Sequence, residues 1–232
     1  MQKLLILQDR DARRDSVQAQ IDRIPSEMEK ERARIGEIET ALEARARGLK
    51  AMEARRLDLE GEVAAVEETI VKYKTQQMQV KKNEEYTALE KEIENQKARV
   101  SELEDAELQL MEEIEVEQEG LEEARESGQA ETATLESHLG RLETNLQASK
   151  EELGDAEAAV EACAEEIDAG VLQQYRYVKS QIKRPPVAVA LKDGRCLGCH
   201  LKVSGDVESM ARRGTDLVRC DSCGRILYFE RS

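Results

Sequence analysis

Four of the five cysteines form two C-x-x-C pairs near the end of the chain, Cys196-Leu-Gly-Cys199 and Cys220-Asp-Ser-Cys223, with twenty residues between them. Two intervening residues let both sulfurs of a pair point at a common centre, so the two pairs predict a tetrahedral metal site. Zinc is the default ion, and iron in a rubredoxin-like site suits the same four thiolates. Because sulfur fills every position, we expect the metal to fold the domain and to catalyse nothing.

Other uses of these cysteines explain the pattern less well. Two disulfides require an oxidising compartment, whereas the apolar run at residues 4–7 is too short for a signal peptide. A redox-active pair leaves the second pair unexplained. Cys163 is expected to be a small apolar residue on a helix. His138 stands alone and His200 would be a fifth donor, so both are interpreted as surface residues.

The composition is typical of long helices. Of the 232 residues, 37% are charged and only 3% are aromatic, and tryptophan is absent. A large compact core needs aromatic and branched side chains, so only a small part of this chain is expected to be compact. No apolar run reaches the roughly eighteen residues that would span a bilayer. We therefore expect no membrane insertion and a cytoplasmic location.

Charge divides the chain into an acidic and a weakly basic part. Residues 1–182 carry 25 basic and 44 acidic side chains, a net charge of −19, whereas residues 183–232 carry 10 and 6, a net charge of +4. Four thiolates and one divalent ion would lower the second value to +2. The long acidic part should repel phosphates, which disfavours nucleic-acid binding by the whole chain.

Seam positions in alternating steps of four and three between residues 17 and 77 are mostly apolar, from Val17 to Tyr73, which predicts a coiled-coil helix. Fourteen of the eighteen seam positions in this range are apolar, and the exceptions include Glu31, Arg45 and Arg56. The phase continues through Pro25, so we expect a kink near residues 24–25 and not two helices.

A turn is predicted near residues 79–86. The preceding segment carries four lysines and no acidic residue, as suits a helix C-terminus, and Asn83, Glu84 and Glu85 can begin a second helix. The second helix has an apolar seam of its own, in which two consecutive steps of four at residues 131–139 form a stutter. The regular apolar spacing is lost after Gly170. Two arms of similar length predict an antiparallel hairpin over residues 1–182, with a parallel coiled-coil dimer as the alternative.

Charged seam residues predict how the two arms pair. A turn centred near residue 81 places Arg45 opposite Glu117 and Arg56 opposite Glu107. Such opposed charges fix the register more than they stabilise the fold. The same register brings Glu31 to face Glu131, a repulsive pair for which the sequence offers no explanation.

Pro185 and Pro186 end the helical part, because neither can continue a helix. Residues 183–232 then predict a C4 zinc ribbon, with strands at 187–191, 215–219 and 225–230 and a helical turn at 206–213. Gly224 suits a positive φ after the second cysteine pair, and we expect its amide to point at a sulfur. The fold class is therefore mainly α: a long antiparallel coiled-coil hairpin followed by a small C-terminal β ribbon.

These residues resemble a bacterial family of C4-type zinc-ribbon proteins with an N-terminal coiled-coil hairpin. The resemblance rests on both cysteine pairs, on the ending Cys220-Asp-Ser-Cys223-Gly-Arg-Ile-Leu-Tyr228, and on Asn83-Glu-Glu-Tyr-Thr-Ala-Leu-Glu-Lys-Glu-Ile93. The second pair lacks a proline at Asp221-Ser222, which does not affect metal binding. The resemblance implies an adaptor or chaperone-like protein that associates with sigma-54, with flagellar or type III secretion components, or with RNA.

The leading functional hypothesis is a non-enzymatic adaptor that binds proteins through the lysine-rich hairpin tip, residues 72–82, or through the ribbon. No phosphate-binding loop is present, and His138 and His200 form no relay with an evident nucleophile. A third and weaker hypothesis, after the adaptor and an RNA-binding regulator, is an iron-bearing electron carrier. The RNA-binding regulator would use basic and aromatic residues of the ribbon. These residues are Lys183, Arg184, Lys192, Arg195, Lys202, Arg212, Arg213, Arg219, Arg225, Tyr228 and Phe229.

Overall fold

The computed structural model describes residues 1–182, 184–214 and 216–229. It confirms the fold class, a long helical hairpin followed by a small strand-containing ribbon. Its helices are α1 (Gln2–Gln77), α2 (Asn83–Glu165), α3 (Ala169–Gln181) and α4 (Gly205–Arg213), and its strands are β1 (Ala188–Lys192), β2 (Arg195–Cys196), β3 (Val218–Arg219) and β4 (Ile226–Phe229). Thr215 and Glu230, both expected in strands, and Lys183, a candidate RNA contact, lie outside the described residues.

The turn of the hairpin occupies residues 78–82, between α1 and α2. Glu84 and Glu85 lie in the first turn of α2, where carboxylates interact favourably with the helix dipole. Helix α1 continues without interruption through Pro25. The two arms pair within one chain, which excludes the parallel dimer as the source of the seam.

The chain divides into two compact units. One contains Met1–Glu29 and Leu139–Ser232, and the other contains Lys30–His138. The ribbon therefore belongs to the same unit as the first part of α1 and the last part of α2.

Within Lys30–His138, the predicted pair of Arg45 and Glu117 is confirmed. The guanidinium Nε of Arg45 donates to Glu117 Oε1 at 2.5 Å, and its Nη1 donates to the carbonyl oxygen of Gly120 at 2.6 Å. The pair expected between Arg56 and Glu107 does not form among the described residues.

The predicted repulsion between Glu31 and Glu131 is wrong. Arg34 Nε donates to Glu131 at 2.8 Å, and Glu31 lies 2.9 Å from Nδ1 of His138. His138 is therefore a partner of a seam carboxylate and not an isolated surface residue. The observed partner of Glu31 lies seven residues from the predicted one, and the apolar seam repeats with this heptad period, so apolar spacing alone does not fix this register.

In the other unit, the ribbon packs on the start of α1 and on α3. Leu4, Leu7 and Tyr175 are almost fully buried, together with Val178 and Ile226. The side chain of Gln8 adds a polar contact, since it both accepts from the backbone N–H of Ala188 and donates to its carbonyl oxygen. These contacts hold the ribbon against the start of α1 and against α3.

Helix α3 is separate from α2, where the sequence indicates only a loosening of the seam after Gly170. Residues 166–168 interrupt the helix, and the Asp168 side chain accepts hydrogen bonds from the amides of Gly170 and Val171 at 2.9 and 3.2 Å. An aspartate that satisfies two free amides in this way is a strong N-cap. The start of α3 was therefore predictable from Asp168 in the sequence.

A buried polar network connects α3 to α1. Tyr175 donates its hydroxyl to Asp11 at 2.9 Å, and the Lys179 ammonium lies 3.0 Å from Asp11 and 2.8 Å from Asp15. Asp11 is only 6% exposed, and Arg14 gives it a second cationic neighbour at 3.1 Å. Because the buried carboxylate is surrounded by donors, its burial is compatible with a stable fold.

The ribbon contains a four-stranded sheet in the order β2-β1-β4-β3. Strand β1 pairs parallel to β4 and antiparallel to β2, and β3 pairs antiparallel to β4. Asp193 and Gly194, both with positive φ, form the two-residue turn between β1 and β2. An Asp-Gly turn is a strong hairpin signal, and from it β2 was predictable.

Candidate metal centre

The four predicted ligands lie together. The Sγ atoms of Cys196, Cys199, Cys220 and Cys223 are all within 4.8 Å of one another. Cys196 Sγ is 3.8 Å from Cys223 Sγ, and Cys199 Sγ is 3.8 Å from Cys220 Sγ. Sulfurs at 2.3 Å from a zinc ion in a tetrahedron are separated by about 3.8 Å. The spacing therefore suits one zinc ion at the centre of the four sulfurs.

The two cysteine pairs have the same backbone arrangement. In the first, the amide of His200 donates to the carbonyl oxygen of Cys196 at 2.7 Å, and in the second the amide of Gly224 donates to that of Cys220 at 2.9 Å. Both His200 and Gly224 have a positive φ, 59° and 71°. This confirms the conformation predicted for Gly224 but corrects its hydrogen bond, because the amide reaches a carbonyl oxygen and not a sulfur.

Backbone amides also point at the sulfurs. The amide of Gly198 lies 3.4 Å from Cys196 Sγ. Donors of this kind stabilise a thiolate, since they place positive partial charge beside it. The backbone of the first cysteine pair thereby provides part of the environment that a metal-bound sulfur needs.

The sheet positions the two pairs opposite each other. Cys196 ends β2, and Cys220 directly follows β3, at the two edges of the sheet. Both are almost fully buried, whereas Cys199 and Cys223 are partly exposed. The cysteines pack with Val189, Leu191 and Leu227, so the site and the ribbon core form one cluster.

Without a metal, the thiols of Cys196, Cys220 and Cys223 differ in acidity. Burial raises the pKa of Cys196 to about 12, and burial also raises the pKa of Cys220. Burial opposes ionisation of Cys223 as well, but hydrogen bonds from the backbone and side chain of Arg225 bring its pKa down to about 7. Thiolates are the ligand form, so zinc binding must release protons and becomes weaker as the pH falls.

Arg225 connects the second cysteine pair to the proline-containing segment that precedes β1. Its Nε donates to the carbonyl oxygen of Pro186 and its Nη2 to that of Arg184, both at 2.9 Å. The side chain passes so close to Gly198 that a Cβ there would lie 2.5 Å from Arg225 Cδ. Arg225 was predicted to be a candidate RNA contact, whereas in the structure its guanidinium binds two carbonyl oxygens within the same unit.

Other candidate RNA contacts also have intramolecular neighbours. The Arg212 guanidinium lies 4.8 Å from the ring centroid of Phe229, and the Arg219 guanidinium lies 5.9 Å from that of Tyr177. Phe229 therefore has one face covered by an arginine. The exposed cations of this set include Arg184, Lys192, Lys202 and Arg213.

The lysines of the hairpin tip are partly neutralised. Lys72 lies 2.9 Å from Glu68, and Lys82 lies 3.2 Å from Glu85. Lys74 and Lys81 have no acidic partner in the part of the chain that the structure describes. Met78, in the turn, is 86% exposed.

The fold and the metal centre define a zinc-ribbon protein whose ribbon follows an antiparallel coiled-coil hairpin. Family models match both parts: the C4-type zinc ribbon domain over residues 195–227 and the CT398-like coiled coil hairpin domain over residues 7–183. The chain belongs to the CT398-like coiled-coil hairpin family.

Solved structures with the same fold come from several bacteria. CT398 from Chlamydia trachomatis has a TM-score of 0.87 at 22% identity, over 99% of this chain and 97% of that one. A Mycobacterium smegmatis protein has a TM-score of 0.73 at 20% identity, with the same coverage. HP0958 from Helicobacter pylori has a TM-score of 0.59 at 20% identity, over 100% and 97% of the two chains. At these identities the likeness shows the fold alone.

No curated protein matches this chain. Across the described residues, none of the helices has an apolar stretch long enough to cross a membrane.

Proposed function

We propose that this protein is a non-enzymatic adaptor, in which the hairpin binds partner proteins and a zinc-stabilised ribbon is built against the ends of its helices. One observation carries the proposal: large apolar side chains project into solvent from the strongly charged unit Lys30–His138. Leu57 is 58% exposed, Leu108 60% and Met78 86%. Single exposed apolar residues are common, but apolar side chains that line one groove, as Leu57 and Met111 do, are typical of a protein-binding surface.

The metal centre supports a structural role for zinc. Catalytic zinc sites keep a position for water or substrate, whereas here four sulfurs provide a complete tetrahedral ligand set. The proposal therefore assigns no reaction to the metal. It assigns the protein to the cytoplasm, because four free thiols persist in a reducing compartment and remain available as ligands.

The partners proposed are those that the family resemblance implies, namely sigma-54 and components of the flagellar or type III secretion apparatus. RNA binding through the exposed cations of the ribbon is the competing function. Phosphate contacts make RNA binding strongly dependent on salt, whereas a protein interface with an apolar centre responds much less.

Affinity capture with the full-length zinc-loaded protein, from its native cells and with or without ribonuclease, tests this function. We expect the same proteins to be recovered under both conditions and to remain bound at raised salt. The matched control is a bait with the two unpaired tip lysines reversed, Lys74→Glu and Lys81→Glu, which reports whether the tip contributes. Recovery of RNA alone, or loss of every protein after ribonuclease treatment, would contradict the adaptor function.

A further inference from the structure

A groove runs between α1 and α2 inside the unit Lys30–His138. Its volume is about 470 Å³, and its lining includes Leu57 on α1 together with Met111 and Ile114 on α2. Ile114 is 8% exposed and forms the floor, whereas Leu57 and Met111 are 58% and 37% exposed. The groove therefore has an apolar base and apolar sides that remain in contact with water.

Leu108 extends the apolar surface along α2. It precedes Met111 by three residues, so the two side chains lie on the same side of the helix, and Leu108 is 60% exposed. Val116 is five residues after Met111 and is directed to a different side of the helix, outside the groove lining. It is equally apolar and 71% exposed, which makes it a matched control position.

Arg56 gives the groove a positive charge that has no ion-pair partner among the described residues. It occupies a seam position and lines the groove, and it is only partly exposed. Among the described residues it forms neither an ion pair nor a hydrogen bond, whereas the seam residue Arg45 contacts both Glu117 and a backbone carbonyl. An occupant of the groove would exclude water from this guanidinium, and an acidic side chain of the occupant would then replace the water with a charge-assisted hydrogen bond.

The rim of the groove and the surrounding helix are acidic. Glu53 and Glu115 line the rim, and residues 102–126 contain twelve carboxylates and one base, Arg125. A second copy of this chain would bring the same acidic surface against itself, which charge repulsion opposes. A helix with basic flanks would be attracted to this surface, and its apolar side would fit between the two helices.

We infer that this groove binds an amphipathic helix of a partner protein, with an apolar side that contacts Leu57 and Met111, predominantly basic flanks, and one acidic residue that pairs with Arg56. The inference rests on the proposed adaptor function and specifies where on the hairpin the partner binds and what chemistry it has.

Site-specific photo-crosslinking tests the inference. A photoreactive amino acid replaces Leu57 in one full-length protein and Val116 in another, and both are expressed in the native cells. We expect the Leu57 position to label a partner at least about fivefold more strongly than the Val116 position, because hot-spot contacts concentrate at apolar anchors. Mass spectrometry of the crosslinked peptide should identify a basic segment with apolar residues at helical spacing.

A synthetic peptide of the labelled segment then allows affinity measurements by fluorescence anisotropy with the full-length protein. Leu57→Ser and Met111→Ser should each weaken binding by about tenfold, as expected for loss of an apolar anchor, and Val116→Ser should change it by less than about twofold. Arg56→Gln should also weaken binding, and replacement of the peptide's acidic residue should then have no further effect.

Three results would overturn the inference: equal labelling from the Leu57 and Val116 positions, labelling of a second copy of this chain, or a labelled segment that is acidic or extended. Its failure is distinguishable from failure of the adaptor function. If proteins are captured through the tip but not labelled from Leu57, the adaptor function stands and the groove assignment is wrong. If no protein is captured at all, both are wrong.

Discussion

Arg45 shows how one charged side chain can determine the register of an otherwise apolar seam. It contacts Glu117 through two nitrogens and also reaches the carbonyl oxygen of Gly120, so three hydrogen bonds hold one guanidinium. Both side chains are about one-third exposed. Partial solvation limits the energetic value of the ion pair, so its main effect is to disfavour other registers.

Gly120 is required for this contact, because a Cβ at that position would overlap the Arg45 guanidinium. We predict that Gly120→Ala stabilises the protein less than an alanine at an unobstructed helix position does, since displacement of the Arg45 guanidinium offsets the gain in helix propensity. Chemical denaturation measures the change.

Gly140→Ala is the matched control for this prediction, because nothing lies within 4 Å of a Cβ at that position. It should raise the free energy of unfolding by up to about 1 kcal/mol, through helix propensity alone. Equal stabilisation by both substitutions would show that the Arg45 contact does not restrict Gly120.

At the scale of elements, α3 links the ribbon to the hairpin through both apolar and polar contacts. Tyr175 is 1% exposed and packs with Leu4 and Leu7, while its hydroxyl reaches Asp11. The pKa of Tyr175 is raised well above its ordinary value, because burial and the neighbouring Asp11 carboxylate both disfavour a tyrosinate. The helix is therefore fixed by a side chain that must stay neutral.

Removal of this hydroxyl tests the polar contact. Tyr175→Phe should lower the free energy of unfolding by about 1.5 kcal/mol, the typical value of a hydrogen bond to a charged group. Tyr177→Phe, on the same helix, is the control, because Tyr177 is 58% exposed. It should leave stability unchanged in the same denaturation experiment, and an equal loss from both substitutions would contradict the role of Asp11.

The raised pKa of Tyr175 also predicts a dependence on alkaline pH. A tyrosine that ionises at an ordinary pKa when unfolded, but at a higher pKa when folded, stabilises the fold fully below pH 10, and that stability is lost as the pH rises further. Tyrosinate absorbance should show that Tyr175 ionises only when the protein unfolds, as a step that Tyr175→Phe removes. Loss of that step without unfolding, or its presence in Tyr175→Phe, would contradict the burial of Tyr175.

Local patterns in the sequence predicted most elements, and long-range packing accounts for the rest. The seam period, the lysine-rich turn and the cysteine spacing predicted the hairpin and the ribbon, because each is set by residues close in sequence. The contact between Tyr175 and Asp11 joins residues 164 apart, and no local pattern indicates it. The pairing of Glu31 with His138 was missed for a different reason, since a displacement of seven residues along α2 leaves the apolar seam intact.

At the scale of the whole molecule, the two parts of the chain differ in how they are stabilised. The hairpin relies on a long apolar seam, whereas the ribbon has few core residues and four cysteines at its centre. Small domains with little buried apolar surface generally need a metal or disulfides to fold. The zinc ion is therefore expected to be a requirement for the ribbon and not for the helices.

Chelation should separate these two contributions. With zinc removed, we expect far-ultraviolet circular dichroism to retain most of the helical signal, while amides of β1 and β4 lose protection from hydrogen exchange. Amides of α1 and α2 within Lys30–His138 should keep their protection. Unchanged exchange in β4 after complete zinc removal would show that the metal does not stabilise the ribbon.

The metal content of the purified full-length protein and of five single Cys→Ser variants is the decisive measurement for the four-cysteine zinc site. We predict one zinc ion per chain and no iron in the wild type and in Cys163→Ser, because Cys163 lies outside the cluster of four sulfurs. Serine at Cys196, Cys199, Cys220 or Cys223 should weaken zinc binding and lower this stoichiometry. A wild-type protein without stoichiometric zinc, or full zinc retention by all five variants, would show that these cysteines do not form a zinc site.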